Sequence, residues 1–181
     1  MVLQAGRGSL LNLSIVVLSS CDMLKNHRKP VSLSFSSTDL PIYSFVETAA
    51  TLYRKDRDRF HLLLNEPGLY DRNPEIDPTI PLAGPPRLLW LEISAHRVVM
   101  TMQGNGKLSY RHFWEQGMYG LSRYWLSGES AHEVGQMRLR NFTHSLILTG
   151  YSQPEHLRIE YELWCERLNL GQYVLSLDIH H

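Results

Sequence analysis

The sequence predicts an α+β fold: a single domain with an antiparallel sheet, two main helices and a long proline-rich loop. Three observations carry that prediction. Leu157, Ile159, Tyr161, Leu163 and Cys165 alternate with Arg158, Glu160, Glu162, Trp164 and Glu166, the period of a strand with one wet face. Ser44 and Glu47 are spaced as a capping box ahead of Val46, Ala49, Ala50 and Tyr53, which reads as a helix start. Six of the nine prolines fall between Pro67 and Pro86, a density that no regular element tolerates.

The elements follow in order. Residues 1–30 read as an N-terminal arm or strand, because Leu11, Leu13, Ile15 and Val17 alternate with Asn12, Ser14 and Val16. A second reading of the same segment is a short signal with a lipoprotein-type cleavage site at Cys21. Residues 31–181 form the globular domain. Val31, Leu33 and Phe35 alternate with serines in a half-buried strand, and Ser37-Thr38-Asp39 with Pro41 makes a turn. The first helix starts at residue 45 and runs through Arg54–Arg59 towards Leu64. The exposed loop 67–86 follows.

Beyond the loop, Leu89, Leu91 and Ile93 alternate, as do Val98, Met100 and Met102. Gly104-Asn105-Gly106 is a turn. Ser109 caps a second helix with Tyr110, Trp114, Gly117, Met118, Leu121 and Trp125 on one face. Leu146 and Leu148 mark a strand. Asn169-Leu170-Gly171 turns the strand at 157–165 into Tyr173, Leu175, Leu177 and Ile179, a C-terminal hairpin.

Composition narrows the functional classes. The 181 residues carry 18 basic and 18 acidic side chains, so no global field draws the chain to nucleic acid or membrane. Two cysteines do not make a disulfide scaffold or a Cys-rich zinc module. Beneath the neutral total lie two basic clusters. Lys25, Arg28 and Lys29 form one with His27, and Arg54, Lys55, Arg57 and Arg59 form the other. Both are candidates for an acidic partner such as phosphate groups or an anionic membrane surface.

No catalytic motif is complete. His132-Glu133 lacks a second histidine three residues on, where Gln136 stands, and Gly104-Asn105-Gly106-Lys107 lacks both the leading glycine and a following Ser or Thr. The nine histidines, among them His112, His144, His156, His180 and His181, are not spaced to aim two rings at one metal ion. The sequence therefore names no catalytic residue, cofactor or metal ligand.

The run from Val31 to Tyr53, with Pro41-Ile42-Tyr43-Ser44 inside it, and the closing pair Ile159–Cys165 and Gly171–Leu177 resemble the matrix proteins of rhabdoviruses. The short length is similar to that of plant cytoplasmic rhabdovirus members. The family's Pro-Pro-x-Tyr motif is absent, since Arg87-Leu88 follows Pro85-Pro86. The resemblance implies a non-enzymatic structural protein of the virion and host cytoplasm, at the inner face of a membrane. Such a protein self-associates, condenses the viral nucleoprotein–RNA and links it to the envelope. On that reading Leu11, Leu13, Ile15 and Val17 are the candidate self-association patch. Two other classes stand beside it: an exported or lipid-anchored bacterial domain that binds a small ligand, and a small enzyme whose site the sequence does not show.

Overall fold

The computed structural model describes residues 28–66, 87–104, 108–127, 134–150 and 152–181. Ten strands run in chain order: β1 (Arg28–Ser37), β2 (Tyr43–Asp56), β3 (Arg59–Glu66), β4 (Arg87–Ser94), β5 (Arg97–Gln103), β6 (Leu108–Glu115), β7 (Tyr119–Ser127), β8 (Val134–Thr149), β9 (His156–Cys165) and β10 (Leu168–Ile179). Each pairs antiparallel with its sequence neighbours, and β1 pairs with β10, so the sheet closes into a barrel. Closure removes the unpaired edges an open sheet would expose.

The α+β expectation with two main helices is therefore overturned: the described residues contain no helix. The predicted first helix is β2, a tight hairpin and β3. Ala50 and Leu52 point inward with Val46, a period of two, and Thr48, Thr51 and Tyr53 suit a pleated surface. The predicted second helix is β6, a turn at Gln116–Met118 and β7. Gly117 adopts a φ of 69° there, a left-handed conformation that stops a helix and suits a turn. The predicted turn at 169–171 is a β-bulge between Asn169 and Gly171. The chain reverses earlier, at Glu166 and Arg167, with Glu166 at φ 53°. The arm given as residues 1–30 overlaps β1, which begins at Arg28. The strands expected around Val31–Phe35, Leu89–Ile93, Val98–Met102, Leu146–Leu148, Leu157–Cys165 and Tyr173–Ile179 are present. Loop 67–86 and residues 1–27 lie outside the described residues.

The closing seam is fixed at both ends. Along it Val31 faces Ile179, Leu33 faces Leu177 and Phe35 faces Leu175. At one end the His180 N–H donates to the Pro30 carbonyl over 3.0 Å. At the other, Asp39 accepts from Ser37 Oγ at 2.7 Å and from the Gln172 N–H at 3.0 Å. Those two donors hold the Asp39 carboxyl below its ordinary range. Gly171, at φ 125°, lies so close that a Cβ there would sit 3.0 Å from Asp39 Oδ1.

The register sorts the interior into two halves. One end carries the β2–β3, β4–β5, β6–β7 and β8–β9 turns. It is filled by Val31, Leu52, Phe60, Leu62, Ile93, Val98, Trp114, Leu146, Leu157 and Ile179. A bulge between Thr143 and Ser145 interrupts the β8–β9 ladder at this level. Gln116 compensates from the β6–β7 turn: its amide donates to the His144 carbonyl and accepts from the Leu146 N–H. The barrel is thus plugged at this end and open in composition at the other.

Leu62 is fully buried among that plug. Leu62→Ala is expected to cost about 2–5 kcal/mol, the range for truncating a packed aliphatic side chain. Urea titration followed by tryptophan fluorescence measures it, and a loss below about 0.5 kcal/mol would contradict the packing described.

Candidate functional site, a cavity with a buried polar cluster

At the second end the interior is not filled. A cavity of about 250 Å³ is lined by Leu33, Phe35, Ser44, Val46, Leu64, Leu89, Met100, Tyr110, His112, Tyr124, Tyr161, Leu163 and Leu175. Every one of these is an inward position of its strand, on the far side of the packed plug from the β2–β3 turn. A ten-stranded barrel is wider than an eight-stranded one, whose interior is just filled by side chains or one small ligand. The extra width is consumed by Phe, Trp and Leu at the plugged end and left as space at the other.

Apart from Ser44 on β2 and Tyr161 on β9, the polar part of the lining lies on β6 and β7, with β8 behind it. There His112 is buried, with Nδ1 2.8 Å from Ser122 Oγ and Nε2 3.1 Å from the Tyr124 hydroxyl. Asn141 Nδ2 donates to Ser122 Oγ over 2.8 Å. The imidazole lies flat on Trp114, with ring centres 4.9 Å apart and planes 7° from parallel. The edges of Tyr110 and Tyr124 close on it from the cavity side, at 5.2 and 5.3 Å. Burial lowers the His112 pKa from 6.5 to about 4, so the ring is neutral at pH 7. Burial, with Tyr173 nearby, pushes Tyr124 up to about 12. Burial also raises Tyr161 well above its ordinary value. Both phenols therefore keep their protons.

The backbone beneath this cluster is specific. Gly120 pairs with Asn141. A Cβ on Gly120 would lie 2.1 Å from the Phe113 carbonyl oxygen and 2.5 Å from Asn141 Oδ1, so only glycine lets the Asn141 side chain fold over β7. Asn141 and Ser122 are both fully enclosed. Ser122 is not among the residues that line the cavity, so it has no path to act as a nucleophile on a molecule held there.

The sequence-predicted site residues lie elsewhere. Arg54, Lys55, Arg57 and Arg59 occupy the β2–β3 hairpin and its flanks, at the plugged end, not a helix face as expected. There Arg54 Nη2 donates to the Arg57 carbonyl at 3.2 Å and its guanidinium lies 5.5 Å from the Phe60 ring centre. Arg59 forms an ion pair with Asp56. Arg28 and Lys29 open β1 opposite Thr51 and Ala50, one strand away. The structure thus brings these six basic residues to one end of the barrel. Lys25, Leu11, Leu13, Ile15 and Val17 lie outside the described residues. Among the described residues, no three His, Cys, Asp or Glu side chains gather where they could hold a metal ion. His144 and His156 instead pair singly with Glu162 and Asp178 on the outer face.

Sequence reasoning missed His112, Ser122, Tyr124 and Asn141 as a set. It also missed an outer-face row. Arg111 on β6 sits directly opposite Arg123 on β7, which sits opposite Arg138 on β8. All three are exposed, and Arg138 is held by Gln136 Oε1 at 3.0 Å. The signal that would have found both sets is cross-strand register, which a linear sequence does not display.

No protein-family model matches the chain, and no curated protein matches it. A solved structure does. The chain is similar in fold to the ywiB protein from Bacillus subtilis. The TM-score is 0.53 at 14% identity, covering 85% of this chain and 94% of that chain. At that identity the likeness shows the fold alone.

Two outcomes follow from these geometries. The His112 pKa is lower in the folded chain than in the unfolded one. Between pH 6.5 and about 4 the unfolded state therefore binds the proton and the folded state does not. Stability is full above that window and falls by roughly 3 kcal/mol as pH drops through it. Urea titrations of the parent and of His112→Gln across pH 4–7.5 should differ by that slope, and parallel profiles would refute it. Separately, Arg123→Gln relieves two like-charge cross-strand contacts. It should raise stability by about 0.2–1 kcal/mol at low salt, a gain that thermal melts should show shrinking as salt rises.

Proposed function

We propose that this barrel is a binding module that holds one small, largely apolar molecule in its open half. The single observation that carries the reading is the 250 Å³ cavity in a barrel whose other half is tightly filled. Interiors are ordinarily packed with few voids larger than a water. A cavity of 150 Å³ lined by aliphatic and aromatic groups is known to take benzene, so this one has room for a bicyclic molecule. The lining combines aliphatic and aromatic walls with a few convergent polar groups, the usual makeup of a small-molecule site. Enclosure of His112 between Trp114, Ser122 and Tyr124 supports holding rather than turnover.

This is the small-ligand alternative reached from the sequence, without its export, since Cys21 lies outside the described residues. The matrix reading rests on acidic-partner contacts, for which Arg28, Lys29, Arg54, Lys55, Arg57 and Arg59 at the plugged end are the described candidates. A matrix role gives no reason for the cavity.

The test is a neutral naphthalene probe, 2-ethylnaphthalene, followed by its fluorescence. The parent chain should bind it saturably with one site. Val46→Trp, which places an indole in the cavity from β2, should abolish binding while the thermal melt stays cooperative. Saturable binding unaffected by Val46→Trp, or no binding to the parent, would overturn the reading.

A further inference from the structure

The polar cluster has a direction, and that direction specifies the ligand's chemistry; the argument rests on the cavity reading above. Ser122 Oγ has two partners, Asn141 Nδ2 and His112 Nδ1. It accepts from the amide, so its own proton has one buried acceptor, His112 Nδ1. The opposite tautomer, with a proton on Nδ1, would leave the fully enclosed Ser122 proton without a partner, a cost of about 1–3 kcal/mol. His112 therefore carries its proton on Nε2 and donates it to the Tyr124 oxygen, 3.1 Å away. Tyr124 makes no further hydrogen bond among the described residues, and it lines the cavity. Its own proton is left to point there.

The orientation of the Asn141 amide sets this chain of donors. Its Oδ1 is the atom turned to the open α-hydrogen side of Gly120, 2.5 Å from where a Cβ would stand. A carbonyl oxygen tolerates a Cα–H neighbour as a weak donor, whereas an NH₂ group there would press N–H against C–H.

The rest of the lining fixes charge. Among the described residues that line the cavity there is no Lys or Arg, and burying an unpaired carboxylate is costly. The Tyr161 hydroxyl also lines it and makes no hydrogen bond among the described residues. We infer that the cavity selects a neutral apolar molecule bearing a carbonyl-type acceptor, which the Tyr124 hydroxyl meets as donor at the end of the Asn141–Ser122–His112 relay. Tyr124 is a positioning and specificity residue for that ligand.

The experiment uses the full chain and three probes of one shape: 2-acetylnaphthalene with a carbonyl, 2-ethylnaphthalene without one, and 2-naphthoate with a charge. In the parent, 2-acetylnaphthalene should bind at least about tenfold more tightly than 2-naphthoate. Tyr124→Phe should weaken 2-acetylnaphthalene by roughly two- to tenfold while leaving 2-ethylnaphthalene unchanged. Long-range ¹H–¹⁵N correlation of the His112 ring should show the Nε2–H tautomer. An unchanged acetyl-to-ethyl affinity ratio in Tyr124→Phe would overturn the inference while the cavity reading stands, provided Val46→Trp still blocks both probes. The Nδ1–H tautomer would overturn the relay, because Tyr124 would then donate to His112 and offer the cavity only lone pairs. Preference for 2-naphthoate would overturn the claim of neutrality. Binding of none of the three would remove the cavity reading itself.

Discussion

The pairing of β1 with β10 is the constraint on which everything else depends. With it, ten strands become a wall with an inside and an outside, and the period-two alternation of each strand acquires a common meaning. The seam is held by more than its ladder. His180 reaches back to Pro30 at one end, and Asp39 ties the β1–β2 turn to Gln172 at the other. Pro30 is tolerated because it stands near the start of β1 and contributes a carbonyl rather than an N–H. Bulges at Lys55, His144 and Leu170 bend three strands, which a closed sheet needs in order to curve.

Closure also explains why the interior is asymmetric. The plugged half carries Phe60, Trp114 and a ring of aliphatic side chains. The open half carries many large residues too, but several are aromatic and lean on one another along the wall. Phe35 stacks on Tyr173 at 5.3 Å, Tyr173 on Tyr161 at 5.7 Å, and Tyr110 tilts against Tyr124 at 5.9 Å. Ser44 in the lining adds room by being small.

Legibility of the sequence tracked the chemistry of inward positions. β1, β4, β5, β9 and β10 place mainly aliphatic residues at alternate, inward positions, so simple alternation identified them. β2 was obscured by Ala49 beside Ala50 and by a Ser-x-x-Glu spacing that also fits a capping box. β6, β7 and β8 were obscured by the site itself. Their inward residues include His112, Ser122, Asn141 and Thr143, all buried, so a hydrophobicity pattern shows nothing there. The bulge between Thr143 and Ser145 then shifts the period, so only Leu146 and Leu148 of a 16-residue strand were read. Places where local pattern and fold disagree are where function or strain is expected, and in β6 and β7 the disagreement falls on the strands that bring His112 and Tyr124 to the cavity.

That coincidence has an energetic side. Thr143 Oγ1, Asn141 Oδ1 and Trp114 Nε1 are buried without a hydrogen-bond partner among the described residues, one or two register steps deeper than His112. Unpaired buried polar atoms are costly, and a purely structural barrel would gain by replacing them with aliphatic groups of similar size. His112 adds a cost once the pH falls below its ordinary value of 6.5, because the buried ring stays neutral down to about 4. The cluster therefore stands as a polar set built against the interest of stability, and it meets the unfilled space through His112 and Tyr124. Its rigidity comes from what surrounds it: Trp114 beneath, Gly120 allowing Asn141 to close over β7, and two tyrosine edges above. A donor fixed in this way loses little freedom when it meets an acceptor, and pre-organisation of that kind favours affinity and selectivity in a small apolar site.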